Sequence, residues 1–233
     1  MIGILYNTFV CLIAGCTSLI VFSLLQKKRR KGEISHNIAI DYFLLCLGLL
    51  WVFVGVRLFF VWLDWVEADL FLYKWFVGPL SFLHLLPAFY YFGWSFFKGK
   101  KSRFLFNGFF TLTVFSAVLI LFLLGFERPE VTYWGNNIKP NKISNTIFTF
   151  GVFLPALPIL IIEISRRIKG LKEKRNHEAK QLFGFSIGFL IYALAGFFEA
   201  LVFTQGWMML ITRTGIMLAA LVFYLSATWE NNT

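Results

Sequence analysis

Residues 181–226 read QLFGFSIGFLIYALAGFFEALVFTQGWMMLITRTGIMLAALVFYLS. Two apolar stretches, 181–203 and 207–225, flank the short turn Thr204-Gln205-Gly206, so the segment predicts a hairpin of two membrane-crossing helices. Each helix carries one ionisable residue away from its ends. Glu199 lies six residues before Gln205 and Arg213 eight after it. At 1.5 Å rise per residue both sit roughly 9–12 Å below the turn, opposite in sign and on adjacent helices. Ionisable groups at such depth are costly and are paired or functional.

The rest of the chain extends the pattern. Of 233 residues, 58% are hydrophobic, 20% aromatic and 15% charged, and the mean hydropathy is +0.72. A soluble domain is about 45–50% apolar and about 25% charged. The apolar residues fall in blocks of roughly twenty, the length that crosses a bilayer. Helices are expected at about 4–25, 37–63, 70–97, 104–126, 145–165, 181–203 and 207–225. This is an all-α, seven-transmembrane bundle forming one domain over 1–233.

Charge sets the expected orientation. Of the 22 Lys and Arg, five lie in 27–31, four in 98–103 and seven in 166–180. Basic short loops mark the cytoplasmic side. The N-terminus is therefore expected outside and the C-terminus in the cytoplasm, in the plasma (inner) membrane. Lys27, Lys28, Arg29, Arg30, Arg166, Arg167, Lys172 and Arg175 are expected to meet headgroups or a partner. The net charge of +10 is thus a membrane-topology signal, and nucleic acid is not an expected partner. The first apolar segment has no basic residues before it and five after it, the order of a first helix rather than a cleaved signal peptide. Cys11, Cys16 and Cys46 lie inside apolar segments with no C-x-x-C pair, as small hydrophobes do.

In the outer connections, 131–137 reads as a β-turn or small hairpin. Pro155 and Pro158 are expected to kink the fifth helix. The charged stretch 166–180 is expected to extend the fifth and sixth helices beyond the membrane. Gly184 and Gly188 permit a close helix contact.

Arg57 lies seven residues below Asp64, at the depth of Glu199 and Arg213, and Lys74 lies near the same rim. Two readings stand. In one, Glu199 pairs with Arg213 or Arg57 and Lys74 snorkels to the interface. In the other, Arg57, Lys74, Glu199 and Arg213 line an outward-open pocket, positively charged, for a polar or anionic ligand. His84, in the third helix between Pro79 and Pro87, is a further ligand candidate, although an intramembrane histidine is more often a satisfied hydrogen-bonding residue. His36 and His177 fall at the other end, so no three-ligand zinc site is expected. Asp41 and Glu163 are expected near the inner surface, hydrated. The seventh helix contains no lysine for a retinal Schiff base. No nucleophile–base motif or phosphate-binding loop is present, so neither an enzyme nor a cofactor is expected.

Three stretches carry a family resemblance: Leu44–Phe53, with Trp51 after a leucine-rich run; Phe76–Lys101, with prolines, aromatics and a basic stop; and Glu178-Ala179-Lys180-Gln181-Leu182-Phe183-Gly184. With them the chain resembles the N-terminal seven-helix sensor region of bacterial membrane histidine kinases. The resemblance implies perception of an external or membrane-borne signal and its relay to a cytoplasmic output. After Trp229-Glu230 no dimerisation helix, phosphoacceptor histidine or ATP-binding domain follows. The output is therefore expected from a cytoplasmic signalling partner or a homo-oligomer. A small transporter or channel using the same Arg/Glu cluster is the alternative, with Pro79, Pro87, Pro155 and Pro158 at its moving parts. A third alternative is a membrane assembly partner whose polar cluster fixes helix register.

Overall fold

Lipid offers no hydrogen-bond partners, so a chain this apolar must satisfy its peptide groups internally, and helices do so within one segment. The computed structural model describes residues 2–33, 37–126, 130–138, 140–173, 177–201 and 208–228. It contains seven helices long and apolar enough to cross a membrane, as expected for a multi-pass membrane protein. They are α1 (Ile2–Arg30), α2 (Ala39–Trp62), α3 (Val66–Phe96), α4 (Lys100–Leu124), α5 (Lys142–Leu171), α6 (His177–Leu201) and α7 (Met208–Thr228). The fifth segment continues to Glu173 and α6 begins at His177, so both extend into the charged stretch. Between α4 and α5, β1 (Glu130–Thr132) and β2 (Gly135–Asn137) pair antiparallel in the register Glu130↔Asn137 and Thr132↔Gly135. The turn at Thr204-Gln205-Gly206 lies outside the described residues.

Each helix packs on its neighbours in sequence, and α1 also packs on α7, so the seven form a closed ring. Aromatic side chains fill its centre. Phe43 of α2 stands 4.6 Å, ring to ring, from Phe189 of α6, which is 5.4 Å from Phe223 of α7. Phe104, Leu112 and Leu123 of α4 are exposed, and such a face suits lipid. Glycines set the closest approaches. A Cβ on Gly15 would lie 2.6 Å from the Val52 backbone nitrogen, so α1 and α2 touch through their backbones. Gly184 and Gly188 likewise admit Ser226 and Phe223 of α7.

Prolines shape α3 and α5 in the same way. A π-turn spans Tyr73–Val77, two residues before Pro79, and a second spans Thr149–Phe153, two before Pro155. Proline lacks the N–H that would bond four residues back, and a wider turn ahead of it accommodates the lost bond. The expected distortion of the fifth helix is thus a π-turn ahead of Pro155, and α3 shares it.

The α2–α3 connection is tighter than the six-residue acidic loop, 64–69, that the expected helix bounds 37–63 and 70–97 leave between them. Trp65 N–H bonds the Phe60 carbonyl at 2.8 Å and Asp64 N–H the Val61 carbonyl at 3.1 Å, with Asp64 at φ 62°. This is a left-handed helix cap, a place that favours glycine, and it puts an anion at the negative end of α2. Asp64→Gly is expected to stabilise the protein by about 1 kcal/mol, since a left-handed L-residue costs roughly that much. Thermal unfolding in detergent reads it, and an unchanged or lower midpoint would refute it.

Candidate functional site

Four helices bring charge to the end of the bundle that carries the hairpin. Arg57 of α2 meets Asp69 of α3 as a fork: Nε to Oδ1 is 2.6 Å and Nη2 to Oδ2 is 3.3 Å. Both are buried, and the guanidinium carbon stands 4.7 Å from the Tyr73 ring centroid. Bidentate geometry and a cation–π contact offset the loss of water around a buried guanidinium. Asp69 is accordingly the partner that sequence reasoning missed. The expected bound of 70 leaves Asp69 just outside the third helix, whereas α3 begins at Val66 and draws Asp69 into its first turn, where the helix dipole favours an anion.

Arg213 of α7 and Glu199 of α6 also face each other, as their matching depth predicts. Their separation is 3.6 Å, Nε to Oε1, an ion pair too long for a hydrogen bond. The Arg213 side chain is 6% exposed and that of Glu199 28%. Arg213 Nε and Nη1 have no acceptor among the described residues. Glu199 is within Coulombic range of both Arg213 and Arg57, and Tyr73 is within range of all four charged groups. Among the described residues the four form one cluster of two cations and two anions. Asp69 thus offsets, among the described residues, the excess of positive charge expected from the sequence.

The hairpin sits against this cluster. Asn7 of α1 donates to the Trp134 carbonyl at 2.8 Å. At Gly135, φ is 152° and an added Cβ would fall 2.9 Å from Leu58 Cδ2, with Met209 and Asn7 next nearest. Leu58 adjoins Arg57, Met209 is one turn before Arg213, and Asn7 is one turn before Cys11, itself within range of Arg213. The expected hairpin thus exists, and it packs onto the residues that surround the charges.

Two sequence candidates stand apart. Lys74 is exposed, its ammonium 5.2 Å from the Trp75 ring, which is the snorkelling arrangement. His84 is buried with both ring nitrogens engaged, Nδ1 with the Leu80 carbonyl at 2.8 Å and Nε2 with the Tyr192 hydroxyl at 2.5 Å. A carbonyl can only accept, so Nδ1 carries the proton and Nε2 accepts from Tyr192. Tyr192 precedes Glu199 by seven residues, roughly 10 Å along α6. His84 is a brace between α3 and α6, not a member of the cluster.

The opposite, basic end holds a second polar assembly. Glu163 of α5 is buried, not hydrated. Arg167 one turn on reaches its Oε1 through Nη2 at 2.6 Å and Nε at 2.7 Å. Tyr91 and Ser95 of α3 donate to the same carboxylate at 3.3 and 3.2 Å, and Arg167 Nη2 donates to the Tyr91 hydroxyl at 2.9 Å. Beside them a cleft of ≈ 220 Å³ is lined by Ser95, Glu163, Arg166, Arg167, Gly170 and Ala179. The i,i+4 spacing of Glu163 and Arg167 was a readable signal for this pair. Asp41, also expected to be hydrated, is fully buried and held by Arg29 at 3.0 Å and Gln26 at 2.9 Å. Lys28 donates to the Ala227 carbonyl at 2.8 Å, tying α1 to the end of α7.

The expected membrane-surface residues therefore divide. Lys27, Arg30 and Arg166 are exposed, whereas Lys28, Arg29 and Arg167 make internal bonds. The Lys172 side chain and Arg175 lie outside what the structure describes, as do His36 and the His177 side chain. Among the described residues no group of three or more His, Cys, Asp or Glu converges as a metal site. No protein-family model, curated protein or solved structure matches the chain.

Proposed function

We propose that this chain is a membrane-embedded sensor or receptor-like module. A signal acts on the charged cluster under the hairpin and is relayed along α6 and α7 to a cytoplasmic partner. Arg213 is the observation that carries this: a guanidinium nine-tenths buried, two of its nitrogens without an acceptor among the described residues, facing a carboxylate beyond hydrogen-bond length. Leaving such donors unmet is costly, so a polar ligand that supplies acceptors gains what the fold leaves unused. The balance of two cations and two anions favours a neutral polar or zwitterionic ligand over a simple anion, since each buried charge already faces its opposite. The relay reading also rests on the bond from Lys28 to Ala227, which joins the far end of α7 to α1.

In the proposed orientation the hairpin end faces outward and the basic end the cytoplasm of a bacterial inner membrane, after the positive-inside rule. A cysteine at the exposed Tyr133 is then expected to react with a membrane-impermeant maleimide in intact cells, and one at the exposed Ser102 after permeabilisation. The reverse pattern would invert the topology. The ligand reading is tested by thermal shift of the purified chain against amino acids, neutral polyols and carboxylates. A compound that stabilises the parent and loses most of that effect in Arg213→Gln is the expected result. Equal stabilisation of both would remove Arg213 from the site.

One observation favours the second reading, a small transporter or channel: π-turns ahead of Pro79 and Pro155 give α3 and α5 matched points of compliance. Solute uptake or ion current in proteoliposomes would decide for it.

A further inference from the structure

We infer that the cleft between α3, α5 and α6 at the basic end binds the phosphate of an anionic phospholipid headgroup. The inference is independent of the ligand reading above and of the orientation, since it requires only that this end meets a bilayer surface.

The cleft's own anion is already matched. Glu163 is 1% exposed and accepts from Arg167, Tyr91 and Ser95, so it presents little free charge to an incoming group. Arg167 spends Nε and Nη2 on these partners, and its Nη1 makes no hydrogen bond among the described residues. Arg166 contributes a second guanidinium that faces no carboxylate among the described residues. It is exposed and rests on the Phe96 ring, 4.6 Å from the centroid. Among the described residues one carboxylate and two guanidiniums line the cleft, a surplus of one positive charge, and exposed Lys98 and Lys169 lie close in sequence to its lining residues. Arginine forks suit phosphate geometry, and basic pockets between membrane helices take anionic headgroups.

Size and surroundings select the source of the phosphate. A volume of ≈ 220 Å³ falls below the roughly 300–1,000 Å³ that encloses a drug-sized ligand, but it suits one phosphate with its ester. Trp94 and Ile162, the chain neighbours of Ser95 and Glu163, are exposed apolar residues that give acyl chains a surface at the same end. A soluble phosphate uses no such surface. Gly170 lines the cleft, and among the described residues a Cβ there would meet nothing within 4 Å, which leaves space next to the cations.

The test uses the full chain in phosphatidylcholine nanodiscs, with and without phosphatidylglycerol, and reads lipid retained by native mass spectrometry after extraction. Three variants are compared with the parent: Arg166→Gln removes the surplus cation, Gly170→Leu fills the cleft without changing charge, and Lys101→Gln removes an exposed charge at the start of α4 that does not line the cleft. The parent is expected to enrich phosphatidylglycerol. Arg166→Gln should lower that enrichment about fivefold, the size of one surface cation's contribution, Gly170→Leu should lower it comparably, and Lys101→Gln should leave it near the parent. Equal retention by Arg166→Gln and the parent would overturn the site, as would an equal loss in Lys101→Gln, which would mean a diffuse basic surface. Inorganic phosphate is titrated separately in phosphatidylcholine discs. If it binds in an Arg166-dependent way and displaces no lipid, the source is soluble phosphate and the lipid assignment falls.

Discussion

Replacing Asp69 by alanine is expected to destabilise the protein by about 3–5 kcal/mol, the cost of leaving one member of a buried ion pair without the other. Arg57 and Asp69 are 4% and 0% exposed in their side chains, with nitrogen and oxygen as close as 2.6 Å. The alanine variant leaves the buried guanidinium on the Tyr73 ring without its bidentate carboxylate. Glu199 lies within Coulombic range of Arg57 as well as Arg213, so the loss is expected to disturb the proposed ligand site as well. Replacing both partners together, Arg57→Met with Asp69→Leu, is expected to recover most of the stability, because the charge that needed a partner is gone. Unfolding in mixed detergent micelles, run as a double-mutant cycle, reads both effects. A loss below about 1 kcal/mol in Asp69→Ala would show that water or Glu199 already neutralises Arg57.

Gly15→Val is expected to cost about 3 kcal/mol or more, at the upper end of overpacking penalties. Its Cβ would fall 2.6 Å from Val52 N and 2.9 Å from the Gly48 carbonyl oxygen. Both are backbone atoms of α2, so no side-chain rotation relieves the contact and the helices must separate. Separation would also move Cys11 on α1 away from Arg57 on α2. Gly108 on α4, where an added Cβ meets nothing within 4 Å, is the control: Gly108→Ala is expected to be neutral or slightly stabilising by helix propensity. The two variants are compared by midpoint of thermal aggregation in one detergent. Equal midpoints would mean that α1 and α2 are not held by backbone contact.

The seven helices were legible because the signal for a membrane span is bulk composition over about twenty residues, which survives errors in any single position. The Glu199–Arg213 pairing was legible because both lie at a countable distance from one turn. Asp69 was not, because the acidic run 64–69 reads as a loop and the cap at Asp64 ends it after two residues. Asp41 and Glu163 were misread for a related reason. Distance from a basic stop suggests contact with water, but Arg29 and Arg167 fold back from that stop to cover them. The balanced charge of the cluster follows from these tertiary choices, which one-dimensional depth does not encode.

The two π-turns have a consequence for chain length. Along α3 one buried stripe runs Asp69, Tyr73, Gly78, Phe82, Leu85, Phe89 and Phe92, flanked by buried Val77, His84, Ala88 and Tyr91, and it advances in steps of three or four except for the step of five across the π-turn. An α-helix turns about 100° per residue, so one residue gained or lost elsewhere in α3 rotates everything beyond it and carries either Asp69 or the Phe82–Phe92 stripe off the interior. Within Tyr73–Val77 the same loss leaves the buried stripes on both sides in phase and converts the wide turn to an ordinary one. The segment is thus a store of one spare residue, and Thr149–Phe153 is its counterpart across α4. Homologous chains are free to differ in length at these two places while keeping Arg57 opposite Asp69.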